Sequence, residues 1–572
     1  MHTTRRDLFK FIGGSAVGAL FTPAPWRLIT DTALWSENWP GIPRPARGEI
    51  KTKFTNCALC PAGCGVRARC VGEQPVSLAG VASHPLSRGA LCPFGLAGHH
   101  LPYHPERVKA GDAQGAAAAV REAVAKCAGN ERIAVLDLRP GRTASWTYRR
   151  ALAGVKNGLY VAAPQPLGGW AVDLAKARTV ISFGVPVLDG WGTPGNVLQA
   201  RANFRLVQVE PVQSRTAILA DEWLQVEPDV AAATAIVKER AANGPVLVLA
   251  DWPELLALNQ PGETIAPRQE APVPDSWKTA APVTELSDVP NASIRALLID
   301  ESVPGAYIPW SEIETKLVRD NPMVVAFGPS RAGYGRHARF TIPTPVYPEL
   351  TDDIPPAVDC PGTAFRVSAP LLPPPGGVVS PADFIAGLGG LDAANALRER
   401  ADAIHKSGRG AVFTYADAKS TPVKELQPDD FWKALNEGAC WIGNSATMPA
   451  RSGRGPALPR EPRPLGSGHQ DSGFTVVFTG SQPGLLVSPI LSKLYQESNL
   501  RLARNGAVLH PDSARSCGVE DGSRAFLETP LGQCAVEVAL DPSVPPGFVQ
   551  VAAGPEVLDI CGASLRARVV RA

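Results

Sequence analysis

The chain has 572 residues, too many for one hydrophobic core, and its 45% apolar and 19% charged content suits a globular protein of several domains. Its formal charge is only +2, and Arg5, Arg6, Lys10 and Arg27 against Asp7 concentrate a net +3 in the first 30 residues. No basic field remains for a nucleic-acid surface, and that class is excluded.

The first feature is Thr4-Arg5-Arg6-Asp7-Leu8-Phe9-Lys10, followed by an apolar run from Phe11 to Phe21. Paired arginines ahead of a Gly/Ala-rich apolar stretch resemble a twin-arginine signal over residues 1–30. That signal predicts export of the folded protein to the periplasmic or extracytoplasmic face of the membrane. The run is shorter than the ~18 apolar residues a membrane span needs, and no later stretch approaches that length.

Cys57, Cys60, Cys64 and Cys92 come next, spaced C-x2-C-x3-C-x27-C. Three thiolates in one loop can hold one face of an iron–sulfur cube, and a fourth from a distance can close it. The spacing therefore nominates these four as ligands of one [4Fe–4S] cluster. Gly63 and Gly65 flank the third cysteine, where the backbone must turn sharply. Zinc stays open as the alternative, since four thiolates also suit a tetrahedral site, although such sites usually pair two C-x2-C knuckles. Cys70 is a rival ligand that reads better as a buried thiol on a strand leaving the loop. Cys127, Cys360, Cys440, Cys517, Cys534 and Cys561 are scattered singly and expected to be mostly buried. His99 and His100 read as packing or surface histidines.

Further along, Arg132 to Asp137, Thr179 to Phe183, residues 245–250 and Met323 to Phe327 are short apolar, β-branched runs. Such runs predict strands buried on both faces of a parallel sheet, with helical stretches such as 116–127 between them. Residues 343–375 and 450–473 are rich in Pro and Gly and read as surface linkers. Residues 474–572 show short strands and Gly/Pro/Asp turns, as an all-β module would.

These features in order resemble the molybdopterin oxidoreductase superfamily. The likeness rests on the Cys57 to Cys64 loop, Gly89-Ala-Leu-Cys92 and His104-Pro-Glu-Arg107-Val108. It continues through Asp173 to Gly184, Leu206-Val-Gln-Val-Glu-Pro211, Ile294 to Asp300, Leu509-His-Pro511 and Gly518-Val-Glu-Asp-Gly522. The resemblance implies an α/β protein with an N-terminal iron–sulfur domain, two dinucleotide-fold-like α/β domains and a C-terminal β-barrel. The implied boundaries are an extended arm and cluster domain at 31–108, a discontinuous α/β domain at 109–157 plus 288–450, a dinucleotide-fold domain at 158–287, and a barrel at 474–572. In the family that barrel covers molybdopterin guanine dinucleotide.

Departures from the pattern carry information too. Phe94 stands where catalytic members commonly have a lysine or arginine, and the stretch from Asn157 to Trp170 has no Cys, Ser or carboxylate to hold a metal. Glu227-Pro-Asp229 lacks the glycine and threonine of a phosphate-contacting turn, and Glu210-Pro211 lacks an arginine. The comparison therefore implies a retained fold without molybdenum and without catalytic residues of its own. Pro25-Trp-Arg-Leu28, Trp35 to Pro40 and Val187-Leu-Asp-Gly-Trp191-Gly192 are similar to the molybdopterin-like subunits of menaquinone reductase and alternative complex III. That branch implies an electron-transfer and scaffold subunit of a membrane-associated, quinone-linked oxidoreductase complex. Its partners would be a ferredoxin-like iron–sulfur subunit, a multihaem cytochrome c and a polytopic quinone-binding membrane subunit. The alternative is a working Mo or W bis-pterin oxidoreductase acting on a small oxyanion or sulfur compound.

Overall fold

A computed structural model describes residues 48–226, 230–242, 244–259, 264–360, 362–443, 473–479, 506–552, 554–561 and 566–572. The export signal, the arm before residue 48, Glu227-Pro-Asp229 and nearly all of 450–473 lie outside the described residues.

Strands Ile50–Asn56, Gly65–Val71 and Gln74–Gly80 form an antiparallel sheet at the start of the described chain. Helix Ala113–Lys126 follows, capped by Asp112, whose carboxylate accepts the Gly115 N–H at 2.7 Å. Ala116, Val120 and Ala123 bury one stripe of it at helical spacing.

That stripe packs on a six-stranded parallel sheet. Its spatial order is Val283–Glu285, Gly158–Ala162, Arg132–Asp137, Ile294–Asp300, Met323–Phe327 and Phe340–Ile342. Alternate residues explain why these strands are apolar throughout. Ile133, Val135, Leu298 and Val325 join the core under helices Ala113–Lys126 and Thr143–Ala153, while Ala134, Leu136, Leu297 and Val324 join a second core on the opposite face. A four-stranded parallel sheet, ordered Val246–Ala250, Thr179–Phe183, Arg205–Val209 and Glu222–Leu224, repeats the pattern. Val180 and Leu206 face one core there, Ile181 and Val207 the other.

The chain order sets where one layer ends. Strands Gly158–Ala162 and Val283–Glu285 pair with each other and complete the six-stranded sheet, so the four-stranded layer is inserted between them. The break drawn at 157/158 from sequence thus falls ahead of a strand belonging to the first layer.

Residues 343–375 are a correction. They were expected at the surface, but nearly all of 343–360 and 363–369 is buried, including strands Asp352–Asp353 and Ala364–Ser368. Buried arginines pair with carboxylates of this segment, Arg107 with Glu349, Arg142 with Asp352 and Arg400 with Asp353, which composition alone does not reveal.

The last sheet closes into a six-stranded barrel. Cys534, Val536 and Val538 alternate inward along Gly532–Leu540, as a filled small barrel requires. The barrel touches both α/β layers. Val508 and Val544 pack on Val212, beyond the four-stranded sheet. Asp559 accepts hydrogen bonds from Tyr307 Oη at 2.6 Å and the Trp310 N–H at 2.8 Å, and pairs with Arg336.

Candidate metal centre

The connection from Ile50–Asn56 to Gly65–Val71 carries Cys57, Cys60 and Cys64 on one tight loop. The Cys57 N–H donates to the Cys64 carbonyl at 2.9 Å, closing it, and the Gly63 N–H donates to the Cys60 carbonyl at 3.3 Å. Cys92 arrives at the N-terminus of the short helix Pro93–Leu96, where proline fixes the first turn. The pieces meet: a Cβ built on Gly95, in that helix, would lie 3.6 Å from Cys57 Sγ.

Electrostatics reports the same convergence. Burial first, then the charges of Cys60, Cys92 and Cys64, push the Cys57 thiol well above its ordinary value. Cys64 is raised likewise by burial and by Cys60 and Cys92, with the Arg366 charge pulling the other way. Burial and Cys60 raise Cys92. Four thiols packed this closely repel as thiolates unless a cationic centre joins them. Among the described residues, no three His, Cys, Asp or Glu side chains converge on a point suited to one metal ion.

The surroundings fit a cluster. Tyr347 is buried with its hydroxyl towards Cys57, and after burial it is the charges of Cys57, Cys64 and Cys92 that hold its proton on. It is a protonated donor placed among the thiols. The turn that carries Tyr347 is closed by Glu349, which accepts the Val346 N–H at 3.2 Å and takes a two-pronged ion pair from Arg107 at 2.7 and 2.5 Å. The arginine of the His104 to Val108 motif therefore has a structural task. Cys57 and Cys64 are buried, whereas Cys60 and Cys92 are partly exposed.

Two buried arginines grip the loop through its carbonyls. Arg139 donates to the carbonyls of Ala58 at 2.5 Å, Leu59 at 2.9 Å and Pro304 at 2.6 Å. Arg366, on strand Ala364–Ser368, donates to Ala62 at 2.5 Å, Gly63 at 3.4 Å, Pro61 at 3.2 Å and Pro355 at 2.9 Å. Gly63 has φ +54°, and a Cβ there would sit 2.5 Å from Arg366 Nη1, so glycine is required twice over. Neither arginine forms an ion pair with a carboxylate among the described residues.

His84 supports the same loop. Its ring packs on Gly65, and its Nδ1 accepts the N–H groups of Leu86 at 3.1 Å and Ser87 at 2.9 Å. Burial, then Arg366, lowers it to about 3. The unfolded chain takes up a proton near pH 6.5 that the folded one refuses, so this residue's contribution is intact above pH 6.5 and shrinks as pH falls towards 3. Wild type should therefore lose stability relative to His84→Gln by ~1.4 kcal/mol per pH unit across that window. Parallel denaturant titrations of the two proteins at pH 7, 6 and 5 check this, and a constant difference would contradict it.

Other nominated residues fall elsewhere. Cys70 is fully buried on Gly65–Val71, in the strand predicted to leave the loop, and all 11 cysteines are free. The rings of His99 and His100 lie 4.0 Å apart, tilted by 50°, and His99 Nδ1 lies 3.1 Å from the Leu96 carbonyl. Sequence reasoning missed Arg139, Arg366, Tyr347 and His84. One signal was available: an arginine inside the otherwise apolar run around Arg366.

A second feature lies at the carboxyl ends of the six-stranded sheet. The chain runs outward from Arg132–Asp137 in one direction and from Ile294–Asp300 in the other, so the crevice between these two is the sheet's switch point, the usual place for a ligand. Asp137 and Asp300, the paired last residues of those strands, both bond Arg142. The other prong of Arg142 reaches Asp352 at 2.6 Å. Asp137 also accepts from Ser145 at 2.6 Å and Tyr160 at 2.8 Å, and Asp300 from Tyr148 at 2.8 Å. Beside them Asp353 pairs with Arg400 at 2.9 Å. Every member is buried and bonded within the protein. A pyrophosphate entering here would meet carboxylates and an arginine already committed to them.

Among the described residues, no helix is long and apolar enough to cross a membrane. Residues 50–104 match the molybdopterin oxidoreductase Fe4S4 domain. Over 270 residues, 41% of this chain and 39% of the relative, the chain is 29% identical to the menaquinone reductase, molybdopterin-binding-like subunit, of Nitratidesulfovibrio vulgaris. Over 238 residues, 34% of this chain and 24% of the relative, it is 28% identical to a sulfite dehydrogenase subunit of Allochromatium vinosum. The matched segments thus span less than half the length of either relative. Acetylene hydratase from Pelobacter acetylenicus superposes with a TM-score of 0.62 over 91% of this chain and 100% of that one at 13% identity, a likeness of fold. The resemblance to molybdopterin oxidoreductases holds, with the Fe4S4 domain at one end and a closed barrel at the other.

Proposed function

We propose, from this iron–sulfur likeness, that the chain is an electron-transfer and scaffold subunit of a quinone-linked oxidoreductase complex at the periplasmic face of a membrane. Cys57, Cys60, Cys64 and Cys92 hold one [4Fe–4S] cluster, which supplies reversible one-electron chemistry when bound. The protein's own residues do the rest: Arg139 and Arg366 fix the loop, Tyr347 directs a hydroxyl at the thiols, and burial of Cys57 and Cys64 keeps water from the inner side. The fold would carry no molybdenum or tungsten pterin. The observation that carries this reading is the Arg142 network across the switch point, where a pyrophosphate-bearing cofactor needs free N–H groups and unpaired cations. Two dinucleotide-fold-like domains, as the sequence implied, would then be architecture inherited without its guest. The relative named as a menaquinone reductase subunit supports the quinone-linked assignment. On that assignment the partners are a ferredoxin-like iron–sulfur subunit, a multihaem cytochrome c and a polytopic quinone-binding membrane subunit.

The second reading, a Mo or W enzyme acting on a sulfur oxyanion, is favoured by the likeness to the sulfite dehydrogenase subunit. Elemental analysis of anaerobically purified protein separates the two. Iron and acid-labile sulfide without molybdenum, tungsten or extractable pterin is expected; stoichiometric Mo or W with pterin would establish the second reading.

A further inference from the structure

A guanidinium buried without a counter-charge costs several kcal/mol, so two of them against one loop call for an explanation. Arg139 and Arg366 spend their N–H groups on the carbonyls of Ala58, Leu59, Pro61, Ala62 and Gly63, the backbone of the cysteine loop itself. Carbonyl oxygens satisfy hydrogen bonds but leave the net charge unanswered. The anions in reach are the thiols and, for Arg139, the Asp352 carboxyl: Arg366 favours the ionised form of Cys64, and Cys60, Asp352 and Cys57 favour the charged form of Arg139. Burial and the neighbouring Arg142 lower Arg139 to about 10, so it remains a cation at neutral pH.

We infer that Arg139 and Arg366 are positioning residues that raise the reduction potential of the cluster by placing two fixed positive charges behind the cysteine loop. The inference rests on the cluster reading above. Reduction adds one electron, supplied by a one-electron donor, and makes the four-thiolate cluster more anionic; neither guanidinium gains or loses a proton. Fixed cations stabilise the more negative form, and burial weakens the screening that would blunt them. The Arg366 Nε has no hydrogen-bond partner, so its five-donor fork is held for its charge and for the loop rather than for full pairing.

The test is a redox titration, monitored by electron paramagnetic resonance, of the full chain and its variants, with iron content measured on each sample. Arg366→Gln and Arg139→Gln should each disfavour reduction tenfold or more, a downward shift of ~59 mV for a one-electron couple. Arg366→Lys and Arg139→Lys, which keep the charge, should stay nearer the wild-type potential. Glutamine variants with full iron and an unchanged potential overturn the inference, as do glutamine and lysine variants shifted equally. Where a glutamine variant loads poorly, its lysine counterpart decides: loading with a near-wild-type potential supports the charge role, and failure of both at both positions assigns the arginines to holding the loop alone. Wild-type protein without a paramagnetic iron–sulfur signal would instead defeat the cluster reading itself.

Discussion

Replacing Cys92 with serine is expected to strip most of the iron from the protein, leaving either no visible chromophore or a reduced-iron remnant, while Cys70→Ser retains the full complement. Serine keeps the shape of the side chain but not a thiolate, and iron in such clusters is held by thiolate sulfur. Cys92 stands on a separate element from the loop cysteines and is in electrostatic reach of them, so its loss opens one corner rather than unfolding the loop. Cys70 is more deeply buried, in the strand core with Val66 and Ala68. Cys57→Ser and Cys64→Ser should lose iron too, with greater cost in stability because both are buried beside Tyr347. Absorbance spectra and iron assays on the set decide the matter. Wild-type iron in Cys92→Ser, or equal loss in Cys70→Ser, would remove the proposed ligand set.

Arg142→Met should destabilise the fold by about 3–5 kcal/mol, the penalty for removing one partner from a buried ion network. Three carboxylates, Asp137, Asp300 and Asp352, would then share a buried site without a cation. With Arg142 present, burial acts against the Asp300 charge but the guanidinium prevails and lowers its pKa. Without it Asp300 loses the charge that holds it down and Asp352, already raised to about 7 by burial, rises further, so both bind protons in the folded state. The variant should therefore be weakest above neutral pH and recover as pH falls, the reverse of ordinary acid sensitivity. Adding Asp300→Asn should restore part of the loss. Chemical denaturation at pH 6 and pH 8 checks both claims; a variant equally weak at both values would show that the arginine acts through packing alone.

Much of this fold was legible in the sequence because burial on two faces leaves a simple trace. The runs at Arg132 to Asp137, Thr179 to Phe183 and Met323 to Phe327 are strands of parallel sheets, as their β-branched content implied. The spacing of Cys57, Cys60, Cys64 and Cys92 placed them in one neighbourhood. What composition concealed was the segment from 343 to 375. Its prolines suggested a surface run, yet it supplies Tyr347, Glu349, Asp352, Asp353 and Arg366 to the interior. Proline marks an irregular backbone, not its depth. Arg139 and Arg366 were hidden for a related reason: their partners are carbonyl oxygens, which every residue has, so no spacing rule points to them.

The seating of the barrel has a mechanical consequence. It is fastened to one α/β layer through Asp559 and to the other through the Val212 contact, so it spans the gap between them like a tie-bar. Parting the layers would have to break either the Asp559 contacts or the Val212 contact, so the two are mechanically coupled. A body braced in this way has its two layers pinned to each other by an element formed late in the chain.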